Sequence, residues 1–185
     1  MDFFYIRQLN SILTKFIKML SCSAVNNYLF LIFMENTDKF TVPLPLMYLE
    51  KGKVLTLPVL DLSKKDNLFG IKLDHFVLSL KQYNVSWYDA YWLIEQNKVC
   101  RKTPRLPDDV DCEKMRSHID VINATARILR ERGIDADNLD ADALYWLRRE
   151  YSSLKAFAFM MKEHLNTLRE KDDAAECLAR VIWYD

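Results

Sequence analysis

Glycine is scarce in this chain of 185 residues: only Gly52, Gly70 and Gly133 occur, far apart. Loops that cradle phosphate need several glycines close together, because their backbone approaches the ligand and takes conformations that a Cβ forbids. Walker-type nucleotide sites and Rossmann dinucleotide sites therefore do not fit. Each glycine instead marks a local backbone demand. Gly52 lies in Glu50-Lys51-Gly52-Lys53, between the apolar runs 44–50 and 53–60. It supplies the positive φ of a tight hairpin. Gly133 follows a helical pattern over 109–132 and reads as the C′ residue that ends it. Half of the residues are apolar and 12% are aromatic, enough for a packed core.

The rest of the punctuation predicts an α+β chain. Pro43, Pro45 and Pro58 place the first two strands near a sheet edge, since proline cannot donate to a ladder. Asp66-Asn67 marks a turn. Short strands follow over 69–73 and 76–80, joined by a turn at Asp74-His75. Ser86 caps a helix whose stripe is Trp87, Ala90, Tyr91 and Ile94, with Asp89 at its positive end. An irregular basic loop, 98–107, carries Lys98, Arg101, Lys102 and Arg105 and stops at Pro104 and Pro107. One long helix over 109–132 follows, with Met115, Ile119, Ile122, Ala126 and Leu129 as its stripe. An acidic, solvated loop spans 135–142. Strands are expected at 144–147, 155–161, 164–169 and 177–183. In 155–161 apolar residues fill both faces, the mark of a strand covered on two sides. Strands, two helices and then strands describe helices on antiparallel sheet.

Residues 1–33 differ from the rest. Leu9, Ile12, Leu13, Phe16, Ile17 and Leu20 recur at helical spacing, with Arg7, Lys15 and Lys18 off the stripe. A basic amphipathic extension is expected here, with residues 34–185 as the domain and Met34 as its expected start. The extension lacks the unbroken apolar run of a transmembrane helix and the cleavage site of a signal peptide. A cytoplasmic protein is expected, the alternative being membrane association or export through 1–33. Charge is balanced at 26 basic and 26 acidic residues. Removing the three basic residues and one acidic residue of 1–33 leaves 23 and 25, so the domain is slightly acidic. No basic surplus points to nucleic acid.

No constellation for catalysis or metal binding stands out. Cys22, Cys100, Cys112 and Cys177 have no C-x-x-C spacing and no neighbouring histidine ligand pattern. Reduced thiols are expected; Cys100 and Cys112 would be the pair in an oxidising compartment. His75, His118 and His164 read as surface or core-edge residues, since a triad also needs a nucleophile and an orienting carboxylate. Asp135, Asp137, Asp140 and Asp142 lack the sharp glycine turn of a calcium loop. No cofactor is expected.

An ordered set of segments carries a family resemblance. Leu144-Tyr145-Trp146-Leu147-Arg148-Arg149-Glu150-Tyr151-Ser152-Ser153 resembles the Tyr-Trp-Ser-Ser-x-Glu-Tyr-Ser-Ser signature of Lcl C-terminal-type domains. Ser86-Trp87-Tyr88-Asp89-Ala90, Arg105-Leu106-Pro107, Ile119-Asp120-Val121-Ile122-Asn123 and Cys177-Leu178-Ala179-Arg180-Val181-Ile182 are similar to further pieces of that family, in the same order. The resemblance covers about residues 46–185. It implies a C-type-lectin-like fold, two helices packed on antiparallel sheets, as found in bacterial, phage and mobile-element proteins. It implies a non-enzymatic binding module for a protein or glycan, with its ligand face on the late strands. The analogous positions are Arg148, Arg149, Lys155, Phe157, Phe159, His164, Asn166 and Arg169. The tripeptides of calcium-dependent sugar sites are missing, so that mode of binding is not expected. The alternatives are an enzyme of the formylglycine-generating type, which shares the fold group, and a mobile-element regulator or inhibitor.

Overall fold

A computed structural model describes residues 38–99 and 103–184. The chain divides into two units, Met1–Lys39 and Phe40–Asp185, and the fold below belongs to the second. The expected amphipathic extension, the Met34 start, Cys22 and Cys100 lie outside the described residues.

The elements are β1 (Lys39–Glu50), β2 (Lys53–Asp61), a 3-10 helix (Leu62–Asn67), β3 (Leu68–Leu73), β4 (Phe76–Asn84), α1 (Trp87–Gln96), α2 (Asp109–Ser117), α3 (Ile119–Glu131), β5 (Leu144–Glu150), β6 (Lys155–Met160), β7 (Leu165–Glu170) and β8 (Cys177–Tyr184). The strands form one open sheet in the order β2-β1-β3-β4-β8-β5-β6-β7. The described part is thus a mixed α and β structure with helices on both faces of the sheet. The pairs β1–β3, β3–β4, β4–β8, β5–β6 and β6–β7 are antiparallel, whereas β5 and β8 are parallel through Leu144–Cys177 and Tyr145–Leu178. The returning β8 inserts between β4 and β5, so the expected wholly antiparallel sheet acquires one parallel seam.

Local chemistry accounts for the element ends. Lys51 (φ 49°) and Gly52 (φ 74°) are both left-handed in the β1–β2 turn, as the two-residue hairpin requires. Gly70 has another reason: a Cβ there would stand 2.4 Å from Val77 Cγ1 and 2.8 Å from the Leu78 carbonyl oxygen. The Ser86 hydroxyl accepts the Asp89 N–H at 3.1 Å and caps α1. Asp108 and Asp111 form a reciprocal capping box at the start of α2. At the end of α3 the Ile134 N–H donates to the Leu129 carbonyl and the Gly133 N–H to that of Arg130, both at 3.0 Å. With Gly133 at φ 75° this is a Schellman motif.

The expected single helix over 109–132 is two helices. His118 breaks it at φ −116°, ψ 13°. The Ser117 hydroxyl donates to the Lys114 carbonyl at 2.9 Å, and His118 Nδ1 lies 3.1 Å from the same oxygen. Side chains thus compete for a carbonyl that a continuous helix would use. Asp66-Asn67, expected as a turn, closes the 3-10 helix. The acidic loop is anchored through its apolar residues and amides: Ala136 and Leu139 are buried. Asn123 accepts the Leu139 N–H at 2.7 Å and donates to its carbonyl at 3.0 Å.

The core has two halves, one on each face of the sheet. The first packs Cys112, Met115, Ile122, Ala126 and Leu129 of α2 and α3 on Leu46, Ile71, Phe76, Leu78, Tyr145, Leu147, Phe159 and Ile182. The second packs Trp87, Ala90 and Ile94 of α1 on Val77, Trp146, Ala156, Ala158, Ala179, Val181 and Trp183. The alternating residues of β5, β6 and β8 fall into opposite halves, as the period of a strand demands. No described helix is long and apolar enough to cross a membrane.

Candidate functional site

A groove of about 560 Å³ runs between α2, the β6–β7 hairpin and the β3–β4 turn. Asp109, Val110, Glu113, Lys114 and Ser117 come from α2; Phe159, His164, Leu165 and Asn166 from the hairpin; Asp74 and His75 from the turn. Helical spacing sets residues 109, 110, 113, 114 and 117 along one side of α2. The hairpin corner is held by His164 at φ 55°, and its N–H donates to the Met160 carbonyl at 3.0 Å.

Charged side chains bridge the walls. His164 Nε2 lies 2.7 Å from Glu113 Oε2. The Asn166 amide donates to Asp109, and Lys114 pairs with Asp74. Arg149 Nη2 is 3.7 Å from Asp109 at the rim. The hydrogen bonds from Arg116 hold Glu113 below the usual carboxylate range, and that from Lys114 does the same for Asp74. Between these pairs the wall is apolar and open: Val110 is 70% exposed and Leu165 43%. Such a surface suits a ligand with an apolar body and a few polar groups.

Behind the groove lies a buried network. Asp111, fully buried, accepts from Arg105 Nη2 at 2.8 Å, from the Tyr184 hydroxyl at 2.6 Å and from the Asp108 N–H at 2.9 Å. The Arg105 guanidinium lies 4.1 Å from the Tyr184 ring centroid. On that ring's side His75 stacks, centroids 5.5 Å apart and planes 12° from parallel. His75 Nε2 stands 3.8 Å from Asp111 Oδ1. Burial and the neighbouring Asp108 carboxylate push the Asp111 carboxyl up, which the Asp108 N–H and the Arg105 charge only partly offset. Burial also acts on Asp108, but the Asp111 and Val110 amides and the Arg105 charge together hold it down. The network fixes the base of α2 to the end of β8, so the groove's helical wall is rigid.

The residues expected on the ligand face divide. Phe159, His164 and Asn166 line the groove. Arg149 and Phe157 stack beside it with the guanidinium 4.1 Å from the ring. Lys155 lies further along the same face, paired with Glu170 at 3.1 Å. Arg169 belongs to the α1 face: it stands opposite Ala156 in the β6–β7 register and pairs with Glu176 at 3.7 Å. Arg148 also lies toward α1; its backbone carbonyl accepts the Tyr91 hydroxyl at 3.2 Å. A one-residue step along a strand reverses the face, which separates Arg148 from Arg149. Sequence reading overlooked the α2 and β3–β4 walls. Val110 carried a signal, an apolar residue off the buried stripe of its helix.

The other chemistry is structural. His118 is half-buried at the α2–α3 break. Cys112 and Cys177 are free and buried; burial pushes the Cys177 thiol up to about 12 and the Cys112 thiol well above its usual value. Among the described residues no group of three or more His, Cys, Asp or Glu side chains is placed to hold a metal ion. No protein-family model matches the chain, and no curated protein matches it either.

Proposed function

We propose that this protein is a non-enzymatic binding module of the C-type-lectin-like class, related to Lcl C-terminal-type domains, and that the groove between α2 and the β6–β7 hairpin takes its ligand. The observation that carries this reading is the groove itself: an open, partly apolar cleft whose charged groups are already paired. Paired groups lend orientation and hydrogen bonds without offering a free nucleophile or base. The ligand is a protein or glycan that places an apolar surface against Val110 and Leu165. A formylglycine-generating type of reaction needs a reactive thiolate, and the thiols of Cys112 and Cys177 are buried and pushed up.

Screening the full chain against arrays of bacterial and host glycans and surface proteins tests the reading. A binder is expected whose affinity falls at least tenfold in Val110→Glu and Leu165→Glu, two exposed positions whose change leaves the core intact. Binding untouched by both variants would move the site elsewhere. A measured turnover lost in Cys177→Ala would replace the binding role with an enzymatic one.

A further inference from the structure

Among the described residues the open sheet has two ends, and they are built differently. At one end β2 carries Pro58, which cannot donate to another strand. At the other, β7 has the sequence Leu-Asn-Thr-Leu-Arg-Glu with no proline, and Leu165 and Leu168 are 43% and 39% exposed. An edge of this kind offers a row of backbone groups to another chain unless something blunts it.

The register says which groups those are. β6 and β7 pair from Lys155–Glu170 to Met160–Leu165, and just beyond them the Lys171 N–H donates to the Leu154 carbonyl at 2.8 Å. Hydrogen-bonded and non-hydrogen-bonded pairs alternate along an antiparallel ladder. Arg169, Thr167 and Leu165 therefore bond inward to β6. Asn166, Leu168 and Glu170 turn their N–H and C=O groups outward and are exposed; the Glu170 carbonyl uses one of its two lone pairs on the Asp173 N–H at 3.1 Å and keeps the other.

We propose that β7 pairs antiparallel with β7 of a second copy of this chain about a two-fold axis through Leu168, which joins the two sheets edge to edge. One register satisfies all three outward residues at once. Leu168 meets Leu168 of the partner subunit, Asn166 meets the partner's Glu170, and Glu170 meets the partner's Asn166; a shift by two residues loses a pair. The side chains agree with that register. The apolar Leu168 contacts itself across the axis, an amide faces a carboxylate on either side of it, and Arg169 stands opposite the partner's Thr167. No like charges oppose each other along the strand, as a self-complementary interface requires. The pairing also sets the partner's Glu170 beside Asn166, a groove residue, and so places the two grooves next to the interface.

Sedimentation velocity of the full chain over a dilution series tests the pairing. The expected species at high micromolar concentration has twice the chain mass and dissociates on dilution. Leu168→Pro removes an outward N–H that β6 does not use, and Leu168→Lys sets two ammonium groups against each other on the axis. Each is expected to give a monomer with a thermal midpoint close to that of the wild-type monomer. Thr167→Pro, which removes an inward N–H, is expected to lower the midpoint instead. A wild-type chain that stays monomeric throughout, or a dimer that survives Leu168→Lys, would overturn the proposal.

Discussion

The two faces of the sheet solve the same packing problem with different chemistry. On the α1 face three tryptophan N–H groups each reach a backbone carbonyl, and the one buried ammonium among the described residues, Lys171, lies over the Trp87 ring at 4.3 Å and pairs with Glu150 at 2.5 Å. Trp87 Nε1 donates to Leu147 at 3.0 Å, Trp146 Nε1 to Val85 at 2.8 Å and Trp183 Nε1 to Asn97 at 3.1 Å. On the α2–α3 face the buried polar groups include two ionisable ones, Asp111 and Arg180, beside Thr125, whose hydroxyl donates to the Val121 carbonyl at 2.9 Å. Arg180, with no exposed surface, donates to the Asp137 carbonyl and to Gln82, its Nε finds no partner among the described residues, and burial pushes its pKa down to about 10. Asp111, Arg105 and Tyr184 form the network behind the groove. A neutral N–H bonded to a carbonyl costs little to bury, whereas a buried charge stays costly even when paired. The α1 face places its one buried ammonium on an aromatic ring and beside an exposed carboxylate. The other face buries a carboxylate and a guanidinium more deeply, and the groove lies there.

The contrast breaks most sharply at Asp111 and Trp146. Asp111→Ala leaves Arg105 and the Tyr184 hydroxyl without their shared acceptor, and a loss of about 3–5 kcal/mol is expected from removing one member of a buried pair. Trp146→Phe keeps most of the apolar area and loses one neutral hydrogen bond, for which about 1 kcal/mol is expected. Urea denaturation of both variants measures the difference. Equal losses would mean that the two faces depend alike on their polar groups.

Alkaline pH probes one buried thiol on each face, Cys112 under α2 and Cys177 under α1. Both folded pKa values are raised, so above about pH 9 the unfolded chain releases protons that the folded chain keeps. Stability is then lost as pH rises, by about 1.4 kcal/mol per pH unit for each thiol. Unfolding free energies between pH 8 and 10 are expected to show this slope, and each Cys→Ala variant to reduce it by about half. A slope unchanged in the double variant would assign it to other groups.

The helix caps give the smallest effect. Ser86→Ala removes the cap of α1, and a loss of about 1 kcal/mol is expected. Asp108→Ala removes the capping box of α2 together with an acceptor 3.3 Å from Arg105, so its loss is expected to be the larger of the two. Thermal melting of both variants orders them; a larger loss at Ser86 would reverse the ranking.

Much of the fold was legible before any coordinates. The hairpin at Lys51-Gly52, the strands of the late meander, the Ser86 cap and the Gly133 terminus follow from periods and from φ preferences that act over a few residues. The site was legible in part. Phe159, His164 and Asn166 stood out on the late strands, but Asp74, His75, Val110 and Glu113 come from segments distant in sequence and carry no shared local pattern. The Ser117-His118 break also escaped notice, because apolar spacing continues through it while two side chains capture one carbonyl.

By itself, then, the sequence settled what depends on local chemistry: the scarcity of glycine that excludes phosphate-cradling loops, the element types, their caps and which residues alternate on a strand. Tertiary structure alone decided that β8 inserts beside β5, that Arg148 and Arg149 look to opposite faces, and that α2, a hairpin and a turn enclose one groove. Those outcomes depend on pairing between segments far apart in the chain, where one choice of neighbour or one residue of register redirects every side chain and no local preference selects between the alternatives.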